Sequence, residues 1–426
     1  MLMNNKEENI VPQLRFPEFK DEWKPSTIEE NCNLKGRIGY RGYTKSDLVA
    51  KGEGVLVLGG KHIQNHRLDL SDPTFLSWEK YYESPEIMVK EGHVIFSQRG
   101  SLGDCALIDK EIGEATINPS MVLIKDITSD TKFLYYVLTG NYIQNEVKRI
   151  STSAAVPMLS QKQIKDFPFF KPSLKEQQKI ANCLSSLDDV ITAETEKLEL
   201  LQAHKKGLLQ QLFPQEGETQ PKYRFPEFKN DGDWEGTTLG ELSKFRRGSF
   251  PQPYGLPEWY DDINGMPFIQ VYDVDTNLKI KPTTKRKISQ LAAEQSVFIE
   301  KGTVIITIQG SIGRVAITQY DAYIDRTLLL FEEFYKPIDK LFFAYVIQLL
   351  FEIEKEKAPG GIIKTITKEV LTSFNINIPD ILEQQKIANC LSSIDETIEA
   401  QTQKIESLQN HKKGLLQQLF PNISDV

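Results

Sequence analysis

One segment of this chain is written twice. Residues 176–214 and 383–421 align without a gap at a constant offset of 207 (383 − 176), and 30 of the 39 aligned residues are identical. The stretches in front of the two copies agree far less. A variable segment followed by a constant one, repeated once, indicates two different binding modules on one shared frame.

The duplication also includes landmarks inside the variable segments. The hexapeptide RFPEFK occurs at 15–20 and again at 224–229. The stretch 94–108 aligns with 304–318, and the two share a Gly-Ser-x-Gly core. Because these landmarks keep their order, the chain is a two-fold repeat of whole domains rather than a solenoid of short repeats.

The variable segments predict a mixed α and β fold. Short runs rich in β-branched and aromatic residues, bounded by Gly, predict strands at 54–58, 93–97, 121–124, 267–271 and 303–308. Longer runs predict helices at 131–149 and 338–357. The polar stretch 215–222 contains Gly and Pro and predicts a linker between the repeats.

The constant segments predict long helices with a coiled-coil seam, because apolar residues recur at a 3.5-residue period. The first seam comprises Ile180, Leu184, Leu187, Ile191, Glu194, Leu198, Leu201, Lys205, Leu208 and Leu212. The second comprises Ile387, Leu391, Ile394, Ile398, Gln401, Ile405, Leu408, Lys412, Leu415 and Leu419. The polar exceptions fall at the same heptad positions, which indicates register control or a third partner there. A helix packed only on its own domain is the alternative, but the near-identity of the copies favours mutual antiparallel packing.

The charge balance gives a mixed indication about nucleic acid. The net charge of −8 argues against a nucleic-acid partner. However, residues 31–46 and 276–293 carry four and five basic residues, respectively, and no acidic residue. A solvated surface is the alternative for either run. The presence of one run in each half favours two strips that contact phosphates.

The four cysteines form no CxxC pair, and two of them, Cys183 and Cys390, are the same position of the repeat. No apolar run approaches the roughly 20 residues of a membrane span. The sequence therefore predicts a cytoplasmic protein with reduced thiols.

The sequence contains few motifs that indicate catalysis. The phosphate-loop and dinucleotide-binding fingerprints are both missing from the sequence. His62 and His66 are four residues apart, but no Glu follows His62 as a zincin motif requires. Residues 118–120 read Asn-Pro-Ser, a faint likeness to a methyltransferase motif that is more typical of a turn, and the repeat has Asp325 and Arg326 at the corresponding place. We therefore predict no catalytic residue and no metal site.

The Gly-Ser-x-Gly segments, 100–103 and 310–313, do not have the Gly that a nucleophile elbow needs two residues before its Ser. A structural turn is an equally good explanation of the glycines. The polar residues around them are Gln98, Arg99, Gln309 and Arg314. Since Gln and Arg can make paired hydrogen bonds to adenine and guanine edges, these side chains are candidates for base contacts.

The decapeptide HKKGLLQQLF, at 204–213 and 411–420, is identical in the two copies. Gly207 and Gly414 lie inside the predicted helices, at a cost of roughly 1 kcal/mol each. Close approach of another helix would compensate for this cost. We therefore predict two docking sites for two copies of one partner, formed by His204, Lys205, Gly207, Gln211, Phe213, His411, Lys412, Gly414, Gln418 and Phe420.

In combination, these features resemble the specificity (S) subunit of type I restriction-modification systems. The resemblance rests on the EQQKIA helix starts that follow Pro172 and Pro379, the KKGLLQQLF helix ends, the RFPEF starts and the Gly-Ser-x-Gly segments. It covers nearly the whole chain. It implies a non-catalytic subunit that binds a bipartite DNA sequence with a fixed gap.

The same resemblance implies an α+β fold in which two mixed α/β target-recognition domains are separated by two long antiparallel coiled-coil helices, with a pseudo-two-fold internal repeat. We expect the domains at 1–172 and 223–380, the first spacer helix at 173–214, the linker at 215–222, and the second spacer helix with a C-terminal tail at 381–426.

The implied partners are double-stranded DNA, two modification subunits and restriction subunits. The modification subunits would use S-adenosylmethionine to methylate adenine, and the restriction subunits would use ATP and Mg to translocate and cut DNA. We expect no cofactor on this chain itself and no membrane partner.

The residues predicted to contact DNA follow from local chemistry, because the family does not define them by a motif. In the first repeat we predict base contacts from Lys61, Asn65, Gln98 and Arg99, phosphate contacts from Lys35, Arg37 and Arg41, and a further DNA contact from Ser101. In the second we predict base contacts from Gln270, Tyr272, Gln309 and Arg314, phosphate contacts from Arg246, Arg247, Lys285 and Arg286, and a further DNA contact from Ser311. Two other functions stay open: a coiled-coil scaffold that binds only proteins, and a fused methyltransferase with cryptic motifs.

Overall fold

The computed structural model describes residues 11–152, 157–357 and 368–421. Internal contacts divide the chain into two compact units. The first unit contains the described residues up to Glu196 and those from Gln403 onward, and the second contains Lys197–Thr402. Each unit therefore includes one variable segment and parts of both constant segments.

The strands of the first repeat are β1 (Lys24–Thr27), β2 (Asn33–Gly36), β3 (Leu48–Val49), β4 (Gly54–Leu58), β5 (Ile63–Gln64), β6 (Arg67–Leu68), β7 (Phe75–Ser77), β8 (Met88–Val89), β9 (Val94–Ser97), β10 (Cys105–Leu107), β11 (Ala115–Ile117), β12 (Met121–Lys125) and β13 (Pro168–Lys171). Its helices are α1 (Ile28–Asn31), α2 (Trp78–Tyr82), α3 (Thr131–Thr139), α4 (Asn141–Thr152), α5 (Gln161–Lys165) and α6 (Leu174–Leu212).

The strands of the second repeat are β14 (Glu235–Thr238), β15 (Ser243–Arg247), β16 (Met266–Ile269), β17 (Leu278–Lys279), β18 (Arg286–Ile288), β19 (Val297–Ile299), β20 (Val304–Thr307), β21 (Val315–Ile317), β22 (Ala322–Ile324), β23 (Leu328–Phe334) and β24 (Asn375–Ile378). Its helices are α7 (Leu239–Leu242), α8 (Gln290–Ala293), α9 (Lys340–Lys357), α10 (Lys368–Thr372) and α11 (Ile381–Gln418). Within the described ranges, no helix combines the length and the apolar character that crossing a bilayer requires.

Two sheets form the body of the first unit. One has the order β10-β9-β12-β2 and the other the order β3-β7-β4-β11-β8, in which β4 and β11 are parallel. Successive side chains on a strand point to opposite faces. Accordingly, Ile95 packs in the core that also contains Leu58 and Ile117 of the second sheet. Val94 and Phe96 pack in the core that contains the helices. The fold is therefore layered as sheet, sheet and helices.

The second unit repeats this architecture. The order β15-β23-β20-β21-β17 replaces the first sheet, and the order β18-β16-β22-β19 replaces the second, with β16 and β22 parallel. Ile305 packs in the core that contains Ile269 and Ile324, whereas Val304 and Ile306 pack in the core that contains the helices. The prediction of two mixed α/β domains from an internal repeat is confirmed.

One helix prediction was wrong in its extent. The run 131–149 is not a single helix, because α3 ends at Thr139 and α4 begins at Asn141. Gly140 between them has an extended backbone, with φ −70° and ψ 154°. The low helix propensity of Gly makes this the weakest point of the run.

A buried ion pair closes each unit around its long helix. Arg15, from the first RFPEFK, makes two hydrogen bonds to Glu176 of α6, at 2.8 and 2.9 Å. Arg224, from the second, binds Glu383 of α11 in the same way, at 2.8 and 2.7 Å. Glu176 and Glu383 are each 1% exposed. Removing either Arg would leave a buried charge unpaired, which explains why these two motifs occur together.

The next residue of each constant segment bridges the domain and the helix. Gln177 accepts a hydrogen bond from the Asp130 N–H at 2.9 Å and donates one to the Pro172 carbonyl at 2.9 Å. Gln384 accepts from the Asp339 N–H at 3.0 Å and donates to the Pro379 carbonyl at 2.9 Å. Part of the sequence identity between the copies therefore serves the fold.

The two long helices run antiparallel within each unit. In the first unit Lys412 of α11 pairs with Asp188 of α6, and Lys404 of α11 pairs with Glu194 of α6. The residue number on α11 therefore decreases as the residue number on α6 increases, which is the pattern of antiparallel helices. In the second unit Lys205 of α6 pairs with Asp395 of α11. The coiled-coil prediction is confirmed, and all twenty predicted seam positions are buried or half-buried.

The lysines that interrupt the seam are explained by these pairs. Burial raises the pKa of Asp188, but hydrogen bonds from Lys412, Arg67 and Tyr136 outweigh this effect and leave the pKa below its usual value. Among the described residues, the side-chain partners of Asp395 are Lys205, at 2.5 Å, and the Tyr345 hydroxyl, at 2.6 Å. The two sites are therefore alike except for Arg67, which lies 2.6 Å from Asp188.

This difference predicts unequal effects of the same substitution. Lys205→Ala leaves Asp395 with one hydroxyl partner and should lower the free energy of unfolding by roughly 3 kcal/mol. Lys412→Ala leaves Asp188 paired with Arg67 and should cost about 1 kcal/mol. Urea denaturation followed by circular dichroism measures both values. The double variant Arg67→Ala with Lys412→Ala should lose about as much stability as Lys205→Ala alone. Equal losses of stability in the single variants Lys205→Ala and Lys412→Ala would contradict the interpretation.

Candidate nucleic-acid interface

Three loops meet at one edge of the sheets in the first unit. Because β4 and β11 are parallel neighbours, the loops that follow them, 59–62 and 118–120, leave the same edge. The Asn118 N–H donates to the Leu58 carbonyl at 2.8 Å. The third loop, 98–104, follows β9 and is joined to the second by a hydrogen bond from the Gln98 N–H to the Ser120 carbonyl at 2.9 Å.

The second unit has the same three loops in the same arrangement. Loops 270–273 and 325–327 follow the parallel strands β16 and β22, and the Asp325 N–H donates to the Ile269 carbonyl at 3.0 Å. Loop 308–314 follows β20, and the Ile308 N–H donates to the Thr327 carbonyl at 2.9 Å. The correspondence of these contacts establishes which positions of the two units are equivalent.

A side chain folded back onto its own loop holds the first loop. In the first unit the Gly59 N–H donates to His62 Nδ1 at 3.0 Å, and in the second the Gln270 N–H donates to Asp273 Oδ2 at 2.9 Å. Burial lowers the pKa of His62 and raises that of Asp273, so both shifts favour the uncharged form. Different residue types therefore perform the same structural task.

The second loop, Asn-Pro-Ser in the first unit and Asp-Arg-Thr in the second, is a turn in both units. Asn118 Oδ1 accepts hydrogen bonds from the N–H and the hydroxyl of Ser120, at 2.9 and 2.6 Å. Asp325 Oδ1 accepts the same two bonds from Thr327, at 2.8 and 2.6 Å. The acceptor of each turn is occupied within the loop, which leaves the central residue, Pro119 or Arg326, exposed.

The Gly-Ser-x-Gly segments are the tight connections of the β9–β10 and β20–β21 hairpins. The glycines at both ends of each segment have positive φ, between 73° and 87°. The side chain of Ser97 or Thr307 caps the turn, donating to the carbonyl of Arg99 or Ser311, respectively. The glycines therefore have a structural role, which was the alternative explanation.

Most of the predicted base contacts lie on this edge. In the first unit the edge exposes Lys61, Arg99 and Ser101 and half-exposes Gln98. In the second it exposes Tyr272, Gln309 and Ser311 and half-exposes Gln270. Two further candidates lie apart. Asn65 is at the tip of the β5–β6 hairpin, and the half-buried Arg314 donates to the Val274 carbonyl at 3.3 Å.

The predicted phosphate contacts are only partly suitable. Lys35 and Arg246 occupy equivalent exposed positions, opposite Leu123 on β12 and Leu330 on β23. Arg37 was a wrong choice, because it is 9% exposed and its guanidinium donates to interior groups, including Thr116 Oγ1 at 3.1 Å.

Several of the other basic side chains already have carboxylate partners. Arg41 lies 3.4 Å from Glu86, Arg246 lies 2.5 Å from Glu332, and Arg286 lies 3.2 Å from Asp262. Lys285 lies over the ring of Tyr272, 5.0 Å from its centroid, and Arg247 is exposed at the end of β15. Of the four cations predicted to contact phosphates in the second unit, Lys285 and Arg247 are therefore the two without a carboxylate partner among the described residues.

Sequence reasoning missed Arg326. The basic runs drew attention to residues 276–293, whereas Arg326 stands alone beside an acidic residue. The signal was its alignment with Pro119 at the centre of the second loop, which becomes informative only once the three loops are known to meet.

Comparisons with known proteins agree with this geometry. The sequence profile of the family described as "Type I restriction modification DNA specificity domain" matches residues 20–203 and 231–410. The chain belongs to the type I restriction-modification DNA specificity family. Subunits of this family are non-catalytic and supply the DNA recognition of their systems.

Individual relatives extend the likeness over most of the chain. The type I restriction enzyme MjaVIII specificity subunit of Methanocaldococcus jannaschii is 25% identical over 360 residues, covering 79% of this chain and 80% of that protein. The crystal structure of the S subunit from M. genitalium has a TM-score of 0.60 at 17% identity, covering 97% of this chain and 100% of that one. A structure described as the basis of complex assembly of the type I R-M system has a TM-score of 0.57 at 18% identity, covering 94% and 98%.

Several residues predicted to dock partners of this specificity subunit are instead used inside its fold. Phe213 is 6% exposed and packs against Trp234 and Phe342, and Phe420 packs against Trp23 and Phe133. Lys205 and Lys412 are held in the ion pairs of the seam. These four residues therefore do not belong to the predicted docking surface.

The remaining docking candidates are accessible. His204, Gln211, His411 and Gln418 are exposed. A Cβ atom built on Gly207 or Gly414 would have no described neighbour within 4 Å. None of the described helices therefore packs closely enough to compensate for these glycines, and among the described residues the space above them is open.

The hairpin geometry predicts a graded effect of adding one methyl group. Gly100 and Gly103 have similar φ values, 79° and 81°, but a Cβ at Gly103 would lie 2.9 Å from Val147 Cγ1, whereas one at Gly100 would have open space. We expect Gly100→Ala to cost about 1 kcal/mol from backbone strain and Gly103→Ala about 3 kcal/mol, since overpacking is added. Urea denaturation compares the two, and equal costs would contradict a packing role for Gly103.

Proposed function

We propose that each unit of this specificity subunit binds one half of a bipartite DNA site through its three-loop edge. The supporting observation is that the two edges share one scaffold and differ at three of their exposed positions. Lys61, Arg99 and Pro119 in the first unit correspond to Tyr272, Gln309 and Arg326 in the second. Phosphate contacts would set the position on the duplex, and base contacts would set the sequence.

The long helices would set the gap between the half-sites and dock two adenine-methyltransferase subunits. S-adenosylmethionine would belong to these partners, and ATP and Mg to restriction subunits. We place the complex in the cytoplasm, where its DNA substrate is found. A net charge of −8 on this chain suits a subunit that binds DNA together with its partners.

A domain exchange tests the modular proposal. Replacing residues 223–380 with the corresponding domain of an unrelated specificity subunit should change one half of the methylated sequence and leave the other half intact. The readout is sequencing of methylated adenines in cells that express the chain with its modification subunit. The reciprocal exchange of 1–172 is the matched control and should change the other half only. A change in both halves, or in neither, would contradict the assignment of one half-site to each unit.

The open space above Gly207 and Gly414 makes docking testable. Gly207→Phe should block one site, so that native mass spectrometry with the purified modification subunit finds one bound copy instead of two. Gly207→Phe with Gly414→Phe should leave none. Ala193→Phe, at an exposed position of α6 outside the identical decapeptide, is the control and should retain two copies. Two copies on the double variant would exclude this surface.

A further inference from the structure

We propose that Arg326 reads a guanine in the half-site of the second unit, and that Tyr254 is the positioning residue for its guanidinium. This inference rests on the proposed function, in which the three-loop edge faces DNA. It names the residue that reads a base, the base that it reads, and a difference between the two half-sites.

Arg326 differs from three other arginines of the second unit in what surrounds its side chain. It is exposed, and in the part of the chain that the structure describes no carboxylate lies within ion-pair distance of it. Arg224, Arg246 and Arg286, by contrast, are paired with carboxylates. Arg247 is likewise exposed and has no carboxylate partner among the described residues, but it lies at the end of β15 and not at the centre of a loop. The donors of Arg326 are therefore available to an external acceptor.

Tyr254 fixes the direction of this side chain. The Arg326 guanidinium carbon lies 5.0 Å from the centroid of the Tyr254 ring, within the range of a cation–π contact. Tyr254 packs on Phe250 with 4.8 Å between ring centroids, and Phe250 packs on Phe268 of β16 at 4.7 Å. Since Phe268 is fully buried, the platform is continuous with the core.

The backbone on both sides of Arg326 is also fixed. Asp325 and Thr327 are joined by the two hydrogen bonds of the turn. A Cβ built on Gly248 would lie 2.4 Å from the Asp325 carbonyl oxygen, so the backbone just after β15 packs closely against this loop. A side chain held at its root and along its length loses little freedom on binding, which favours a specific contact.

Guanine is the base that matches this donor. The planar guanidinium can make two parallel hydrogen bonds to the O6 and N7 atoms of guanine in the major groove. At the equivalent position the first unit has Pro119, whose side chain has no donor. The two half-sites should therefore differ at the base pair that this position meets, and only the second should require a G·C pair there.

The test uses the complex of the full chain with its modification subunit. Adenine methylation by the wild type first defines the bipartite site. Arg326→Ala should then relax the preference at one G·C pair of the second half-site, with a roughly 5- to 150-fold loss of discrimination in competition binding against the single-base variant. Arg326→Lys should also relax it, because a lysine cannot make the paired hydrogen bonds.

Two controls separate base reading from other roles. Arg247→Ala, at the neighbouring strand end, should weaken binding to all sequences alike and reduce its salt dependence. Tyr254→Ala should relax the same base pair as Arg326→Ala, whereas Tyr254→Phe should retain the preference. Unchanged discrimination in Arg326→Ala, or a uniform loss across all sequences, would overturn the inference. Failure of the wild-type complex to methylate a bipartite site would instead overturn the proposed function.

Discussion

A buried carboxylate at the start of each long helix holds its unit together. Glu176 and Glu383 have almost no solvent contact, so their charges must be neutralised by the arginine that precedes each variable segment. The arginine comes before the domain in sequence and the glutamate after it. Their pairing therefore clamps the two ends of the variable segment together at the helix and leaves the chain between them free to differ.

The division between a shared support and a variable part also holds inside each unit. The layered core and the helix pairing use equivalent positions in both units, down to Tyr136 and Tyr345, which donate to the seam aspartates. The three-loop edges use equivalent backbone contacts but carry different side chains at several exposed positions. A rigid support that carries variable loops is a common arrangement for binding sites in proteins.

The long helices could be predicted from the sequence because a 3.5-residue period and an internal copy are both visible in one dimension. The three-loop edge could not be predicted from the sequence, because β4 and β11 are neighbours in the sheet but are separated by more than fifty residues in the chain. Local chemistry therefore identified Gln98, Arg99 and Gln309 beside a conspicuous glycine motif, but overlooked Arg326. It also misjudged Arg37 and Phe213, since basic and aromatic letters do not reveal whether a side chain points inward. Identity between the copies was attributed to docking, when for several residues the packing of the helices accounts for it.

The self-contained turns have a consequence for how such a protein diversifies. His62 and Asp273 secure one loop, and Asn118 and Asp325 another, by bonds that never involve the exposed residue beside them. A substitution at that neighbour therefore leaves the bonds that hold the turn in place. The two copies within this chain are an example, because one turn geometry holds Pro119 in the first unit and Arg326 in the second.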